Sequence, residues 1–184
     1  ASGLSLMSAN EFKFLERLFF EAVNAANPEK IIMPYMPQIP AGRTVVIGVG
    51  KAAANLAETF DREFDAPLSG VVVTPYGYGR KCERIKVIEA SHPIPDANGL
   101  RACDAILSAV SNLRPSDLVV ALICGGGSSL LPAPPEGLTL DDEVLLNQTL
   151  LAAGIPISTM NLIRKNVSAI KGGRLALYSY PAKV

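Results

Sequence analysis

Thr44-Val45-Val46-Ile47-Gly48-Val49-Gly50-Lys51-Ala52-Ala53-Ala54 is the stretch on which the reading of this chain turns. A run of β-branched residues ends at two glycines one residue apart, and a helical pattern follows at once, reaching about Phe64. A buried strand, a tight turn and a helix in direct succession open a βαβ unit. Downstream, Gly70–Thr74 and Ile85–Glu89 read as a second and third buried strand, and Asp117–Ile123 as a fourth. Asp96 caps a helix to about Asn112. Thr139, with Asp142 three residues on, caps another to Ala153, stopped at Gly154. A last helix is predicted over about 158–170 or further.

Apolar strands alternating with helices predict an α/β fold: a doubly wound, mainly parallel sheet with helices on both faces, a Rossmann-like three-layer sandwich. Upstream of it, Ser8 and Glu11 form a capping box for an amphipathic helix over 9–26, with Phe12, Leu15, Phe19, Ala22 and Val23 at helical spacing. Pro28, Pro34, Pro37 and Pro40 predict an extended connector over 28–42. Residues 1–7 read as a leader or expression remnant, and 8–184 as one α/β domain.

Composition sets the class. At 184 residues with 49% hydrophobic side chains, the chain can bury a core without disulfide or metal staples. The longest apolar window, 117–124, is too short to cross a bilayer, and Glu11, Lys13, Glu16 and Arg17 interrupt any signal-peptide pattern. Cys82, Cys103 and Cys124 form neither a close pair nor a zinc spacing. They are expected as core or strand residues in a cytoplasmic protein. Net charge is zero, yet Ser158–Val184 holds five basic residues and no acid. With only Tyr178 and Tyr180 interleaved, that segment suits a small anion better than nucleic acid.

In a parallel sheet, ligands bind beyond the carboxyl ends of the strands. Three loops fall at that edge: Gly48-Val49-Gly50-Lys51, Ser91-His92-Pro93-Ile94-Pro95-Asp96 and Gly125-Gly126-Gly127-Ser128-Ser129. The first matches Gly-x-Gly-x-x-Ala, the pattern of a dinucleotide site. Against that, Thr74-Pro75-Tyr76 supplies no acid for a ribose hydroxyl, and the Walker spacing is absent. A lysine at a helix start is disfavoured by the dipole unless an anion is bound, so Lys51 reads as a phosphate-binding lysine or else a solvated one. Three glycines after a strand can form a concave nest of N–H groups for phosphate, with Ser128 and Ser129 adding hydroxyl donors. The plain alternative is a tight turn with serine caps. His92, the only histidine, is either structural or a substrate contact. Asn161, Arg164, Lys165, Ser168 and Lys171 follow one helical stripe and read as an anion-facing surface.

These loops, together with Met160-Asn161-Leu162-Ile163-Arg164-Lys165 and Lys171-Gly172-Gly173-Arg174-Leu175-Ala176, resemble the glycerate 2-kinases that carry a C-terminal MOFRL domain, some labelled hydroxypyruvate reductase. The resemblance runs from about residue 10 to 180. It implies transfer of the γ-phosphoryl of ATP to the 2-hydroxyl of D-glycerate, with Mg²⁺, in a cleft between two domains. It implies Lys51 and Arg164 as catalytic residues, and Gly48, Gly50, Gly125, Gly126, Gly127, Ser128 and Ser129 around the nucleotide phosphates. Ser91, His92, Asn161 and Lys171 would contact substrate, and none of these residues would ligate metal. It sets an Asp-rich segment and the MOFRL domain beyond Val184, so 1–184 alone is expected to be inactive or nearly so. Glycerate and nucleotide are the expected partners, a homodimer is left open, and neither nucleic acid nor membrane is expected. The alternatives are an NAD(P)H-dependent hydroxypyruvate reductase and a non-catalytic phosphate-binding fragment.

Overall fold

A computed structural model describes residues 8–184 of the chain; the reading of 1–7 falls outside the described residues. One compact unit ends at Pro37 and the other spans Gln38–Val184. The first contains helix α1 (Ala9–Ala25), opened by the Ser8–Glu11 capping box, in which each side chain satisfies the other's backbone N–H. None of the residues of α1 is buried. The extended connector expected over 28–42 is instead partly helical. Asn27 caps helix α2 (Pro28–Ile32), and a 3₁₀ turn covers Met33–Tyr35. Pro28 and Pro34 each sit in the first turn, where a missing N–H is no loss and a fixed φ assists helix entry.

The second unit is built on four parallel strands, β1 (Thr44–Val49), β2 (Leu68–Pro75), β3 (Ile85–Ala90) and β4 (Leu118–Ile123), ordered β3-β2-β1-β4. Helix α3 (Ala53–Glu63) follows β1, and α4 (Ala97–Ala109) follows β3, capped by Asp96. Because side chains alternate across a strand, Val45 and Ile47 join Val71 and Val73 on the α4 side, in a core with Ile106, Val110 and Leu130. Val46, Gly48 and Val72 face the other way, where α3 buries Ala53, Ala54, Ala57 and Phe60. Helices therefore cover both faces, as the alternating pattern predicted. Four further helices follow β4: α5 (Gly127–Leu130), α6 (Leu140–Ala152), α7 (Ile157–Asn166) and α8 (Arg174–Tyr178).

Two carboxylates fix the connections. Asp61 on α3 is buried and accepts from the Glu83 and Arg84 amides and from Arg84 Nε, while Arg84 also binds the carbonyls of Phe64 and Ala66. Asp117 accepts at 2.8 Å from the Arg43 amide and at 2.8 Å from the Arg114 amide. The Arg43 amide, then that of Arg114, holds this carboxyl below its ordinary value of 3.8. A lowered carboxyl stabilises the fold fully above its ordinary value, and that contribution is lost as pH falls through the folded value. Asp117→Asn is thus expected to lower Tm by a constant amount from pH 7 to about 5, with the gap to wild type shrinking below about pH 4, as thermal melts would read.

Of the cysteines, only Cys103 is fully buried; burial pushes its thiol up to about 11. Cys82 and Cys124 are half-buried in loops rather than in core or strand. Among the described residues, no helix is long and apolar enough to cross a membrane.

Candidate functional site

The sheet order reverses direction at β1, since β2 pairs on one side of it and β4 on the other. Such a switch point opens a crevice at the carboxyl edge, and the loops after β1, β3 and β4 meet there. Backbone bonds stitch the first and last together. The Cys124 amide donates to Val49 O at 3.0 Å, and the Lys51 amide donates to Gly125 O at 2.9 Å. The Ala52 amide donates to Cys124 Sγ at 3.1 Å.

The glycines of the first loop have a steric cause. A Cβ on Gly48 would stand 2.8 Å from Leu122 O, and one on Gly50 would stand 2.5 Å from Cys124 O, with φ at +129°. Close strand approach accounts for the Gly-x-Gly pattern without any pyrophosphate.

Gly126 is the point of convergence. It adopts a left-handed φ of +85° and starts α5, so residues 127–130, partly read as an open loop, form a single helical turn. A Cβ at Gly126 would lie 3.3 Å from His92 Cε1, His92 Nε2 and Lys51 Cε alike. His92 Nδ1 lies 2.5 Å from Ser129 Oγ. Lys51, His92 and the pair Gly126 and Ser129, drawn from three separate sequence signals, therefore surround one small space. The His92 loop is held from behind by Asp96, which accepts from Tyr76 Oη at 2.6 Å and from the Gly99 amide. Burial pushes the Asp96 carboxyl up, but hydrogen bonds from Tyr76 and from the Gly99, Ser91 and Asn98 amides outweigh it and hold it below the usual range. Ser91 stands at the start of this loop, half-buried.

Gly127 and Ser128 also line a cavity of about 490 Å³, which Lys51 and His92 do not line. Its floor is apolar, with Val49, Ile123 and Leu131, and Asn161, Arg164 and Lys171 line it. The single stripe expected over 158–170 is broken. Helix α7 stops at Asn166, and buried Ser168 turns the chain by accepting from the Ile170 and Lys171 amides. The turn sends Ile170 into the core, a burial that outweighs one more helical turn. The cations still reach one wall because α6 holds them. Glu143 pairs with Lys171 Nζ at 3.3 Å, and Asn147, one turn on, accepts from Arg164 Nε at 2.6 Å.

Glu143 and Asn147 were not singled out from sequence, and their i, i+4 spacing on α6 was the available signal. Lys171 Nζ also donates to Leu131 O, while Glu143 accepts from the Ala133 amide, so this pair anchors the 131–133 loop. Lys171→Ala leaves Glu143 buried and unpaired, with an expected loss of about 3 kcal/mol in urea unfolding. A solvated lysine would give a change within about 0.5 kcal/mol. Among the described residues, no group of three or more His, Cys, Asp or Glu could hold a metal ion.

Comparison with known proteins gives relatives under two names. An Agrobacterium vitis protein, provisionally named hydroxypyruvate reductase, is 50% identical over 171 residues, 92% of this chain and 39% of its own. Glycerate 2-kinase of Pyrococcus horikoshii is 41% identical, over 87% of this chain and 39% of its own. The crystal structure of glycerate kinase from Thermotoga maritima superposes with a TM-score of 0.86 at 34% identity, covering 94% of this chain and 42% of that one. The chain thus spans about two fifths of the length of the curated relatives it matches. Residues 14–184 match the family described as "Domain of unknown function (DUF4147)", and the chain belongs to that family.

Proposed function

We propose that this chain is the N-terminal, phosphate-handling domain of a cytoplasmic D-glycerate 2-kinase, which transfers the γ-phosphoryl of ATP to the substrate's 2-hydroxyl. The observation that carries the reading is the meeting of Lys51 and His92 over Gly126, beside the Gly127–Ser128 turn. Glycerate kinases among the relatives support it. Phosphoryl transfer asks little covalent chemistry of a protein; it asks for positioning and for positive charge where negative charge spreads.

Lys51 supplies that charge, on a side chain exposed at the crevice. The Gly125–Ser129 turn supplies amides and hydroxyls to the nucleotide phosphates. Arg164 and Asn161, from the cavity wall, reach the acceptor's carboxylate, with Ser91 on the opposite loop. This segment's own contribution is cationic and amide-based. Mg²⁺ enters the proposal as the nucleotide's companion ion, and its chemistry there is to neutralise charge on the triphosphate. The cleft closes against a second domain that carries the remaining groups.

A second reading, reduction of hydroxypyruvate by NAD(P)H, is favoured by the name of the Agrobacterium vitis relative. The steric cause of Gly48 and Gly50 and the missing acid after β2 weigh against it. A coupled assay on a protein of the relatives' full length containing this segment separates them. The kinase reading expects ADP formation that requires glycerate. Oxidation of NADH by hydroxypyruvate without ATP would replace it with the second.

A further inference from the structure

We infer that His92 is the proton acceptor for the reacting hydroxyl, and that Ser129 is the residue that aims it; this rests on the kinase reading above. The imidazole has two nitrogens with different surroundings. Nδ1 is engaged by Ser129 Oγ at 2.5 Å. Nε2 points the other way, 3.3 Å from the position of a Cβ at Gly126, and Lys51 Cε is equally near that position. In the tautomer that donates its Nδ1 hydrogen to Ser129, which is the one the proposal requires, the lone pair sits on Nε2, on the side where the phosphoryl-stabilising lysine also reaches. Among the described residues no hydrogen bond to Nε2 occurs, which leaves that nitrogen open to a ligand.

The loop presents the ring in a fixed way. Pro93 and Pro95 flank Ile94, Pro95 is buried, and Asp96 caps α4 while binding Tyr76. The charged group placed against the ring is Lys51, from the β1–α3 loop. Helix α5 offers the uncharged Ser129 hydroxyl, and the carboxylate of Asp96, in the ring's own loop, is turned to Tyr76 and Gly99.

The acceptor hydroxyl forms its bond to the γ-phosphorus and gives its proton to Nε2. The bond from that phosphorus to the β,γ-bridging oxygen breaks, and ADP departs with the electron pair. The imidazolium then returns its proton to solvent. Positioned acid–base catalysis of this kind contributes about 10²–10⁴-fold.

The test uses a protein of the relatives' full length and three variants. His92→Gln keeps a hydrogen-bonding atom near Nε2 but takes no proton. His92→Asn keeps a partner for Ser129 and has nothing at Nε2. Both are expected to lower kcat by about 10²-fold or more, with KM for ATP and glycerate within a few-fold, and to remove the acidic limb of the kcat–pH profile. Ser129→Ala is expected to lower kcat about 10-fold at unchanged KM for glycerate, with that limb retained. Either His92 variant keeping kcat within a few-fold of wild type, or raising KM alone, would overturn the assignment. So would an acidic limb that survives in both. Loss of all glycerate-dependent ADP formation in the wild-type protein would instead defeat the kinase reading itself.

Discussion

Replacing Lys51 with alanine, in a protein of the relatives' full length, is expected to lower kcat/KM for phosphoryl transfer by about 10²–10³-fold and to leave Tm unchanged. The size follows from what one preorganised donor or cation contributes to developing charge in a closed site, about 3–4 kcal/mol. The unchanged Tm follows from the structure. The hydrogen bonds that Lys51 makes to the fold are backbone bonds, its amide to Gly125 O and its carbonyl accepting from Thr74 Oγ1, and alanine keeps both. The side chain itself is exposed. Steady-state kinetics with a thermal melt of the same sample reads both halves. A variant with wild-type kcat/KM would remove Lys51 from the reaction. One that melted well below wild type would show that its chain packs rather than reacts.

Gly50→Ala is expected to act in the opposite sense, on the fold before the chemistry. Its φ of +129° is a conformation that residues with a side chain rarely adopt, and the new Cβ would stand 2.4 Å from Cys124 Sγ and 2.5 Å from Cys124 O. Strain of this kind adds to the overlap, for about 3–5 kcal/mol together. In a domain of this size that lowers Tm by roughly 10–15 °C. The effect is specific in a way that can be checked. Removing the sulfur with Cys124→Ala relieves one contact only, because the carbonyl oxygen stays on a residue whose amide is held by Val49 O. The double variant is therefore expected to recover little stability. Full recovery would mean that the glycine answers to the sulfur alone, and a Tm within about 2 °C of wild type for the single variant would contradict the close approach altogether.

The elements that local chemistry dictates were legible in the sequence. The Ser8–Glu11 and Thr139–Asp142 capping boxes and the Asp96 cap stand where expected, because each depends only on residues three apart. The four strands read through their β-branched runs. What failed was set by distant partners. Helix α7 stops at Asn166 because Ile170 finds the core, and nothing near Val167 in sequence announces that. The partners of Lys171 and Arg164 lie 28 and 17 residues away on α6. Prolines 28 and 34 read as helix breakers in sequence, yet both occupy first-turn positions.

The site shows the same division. That three loops share one sheet edge follows from the parallel topology, and was legible. That His92 reaches Ser129 and Lys51 reaches Gly126 depends on the order β3-β2-β1-β4, which places the loops after β1 and β4 side by side. The glycines of the first loop show how one signal can have two causes. Gly48 and Gly50 match a nucleotide fingerprint, yet their space is filled by the neighbouring strand.

The most direct measurement is a crystal structure of a protein of the relatives' full length with glycerate and a non-hydrolysable ATP analogue. The terminal phosphate is expected within hydrogen-bonding distance of Lys51 Nζ and of the 126–128 amides, with the acceptor hydroxyl facing His92 Nε2. Triphosphate bound away from Gly126, with Lys51 and His92 facing solvent, would contradict it.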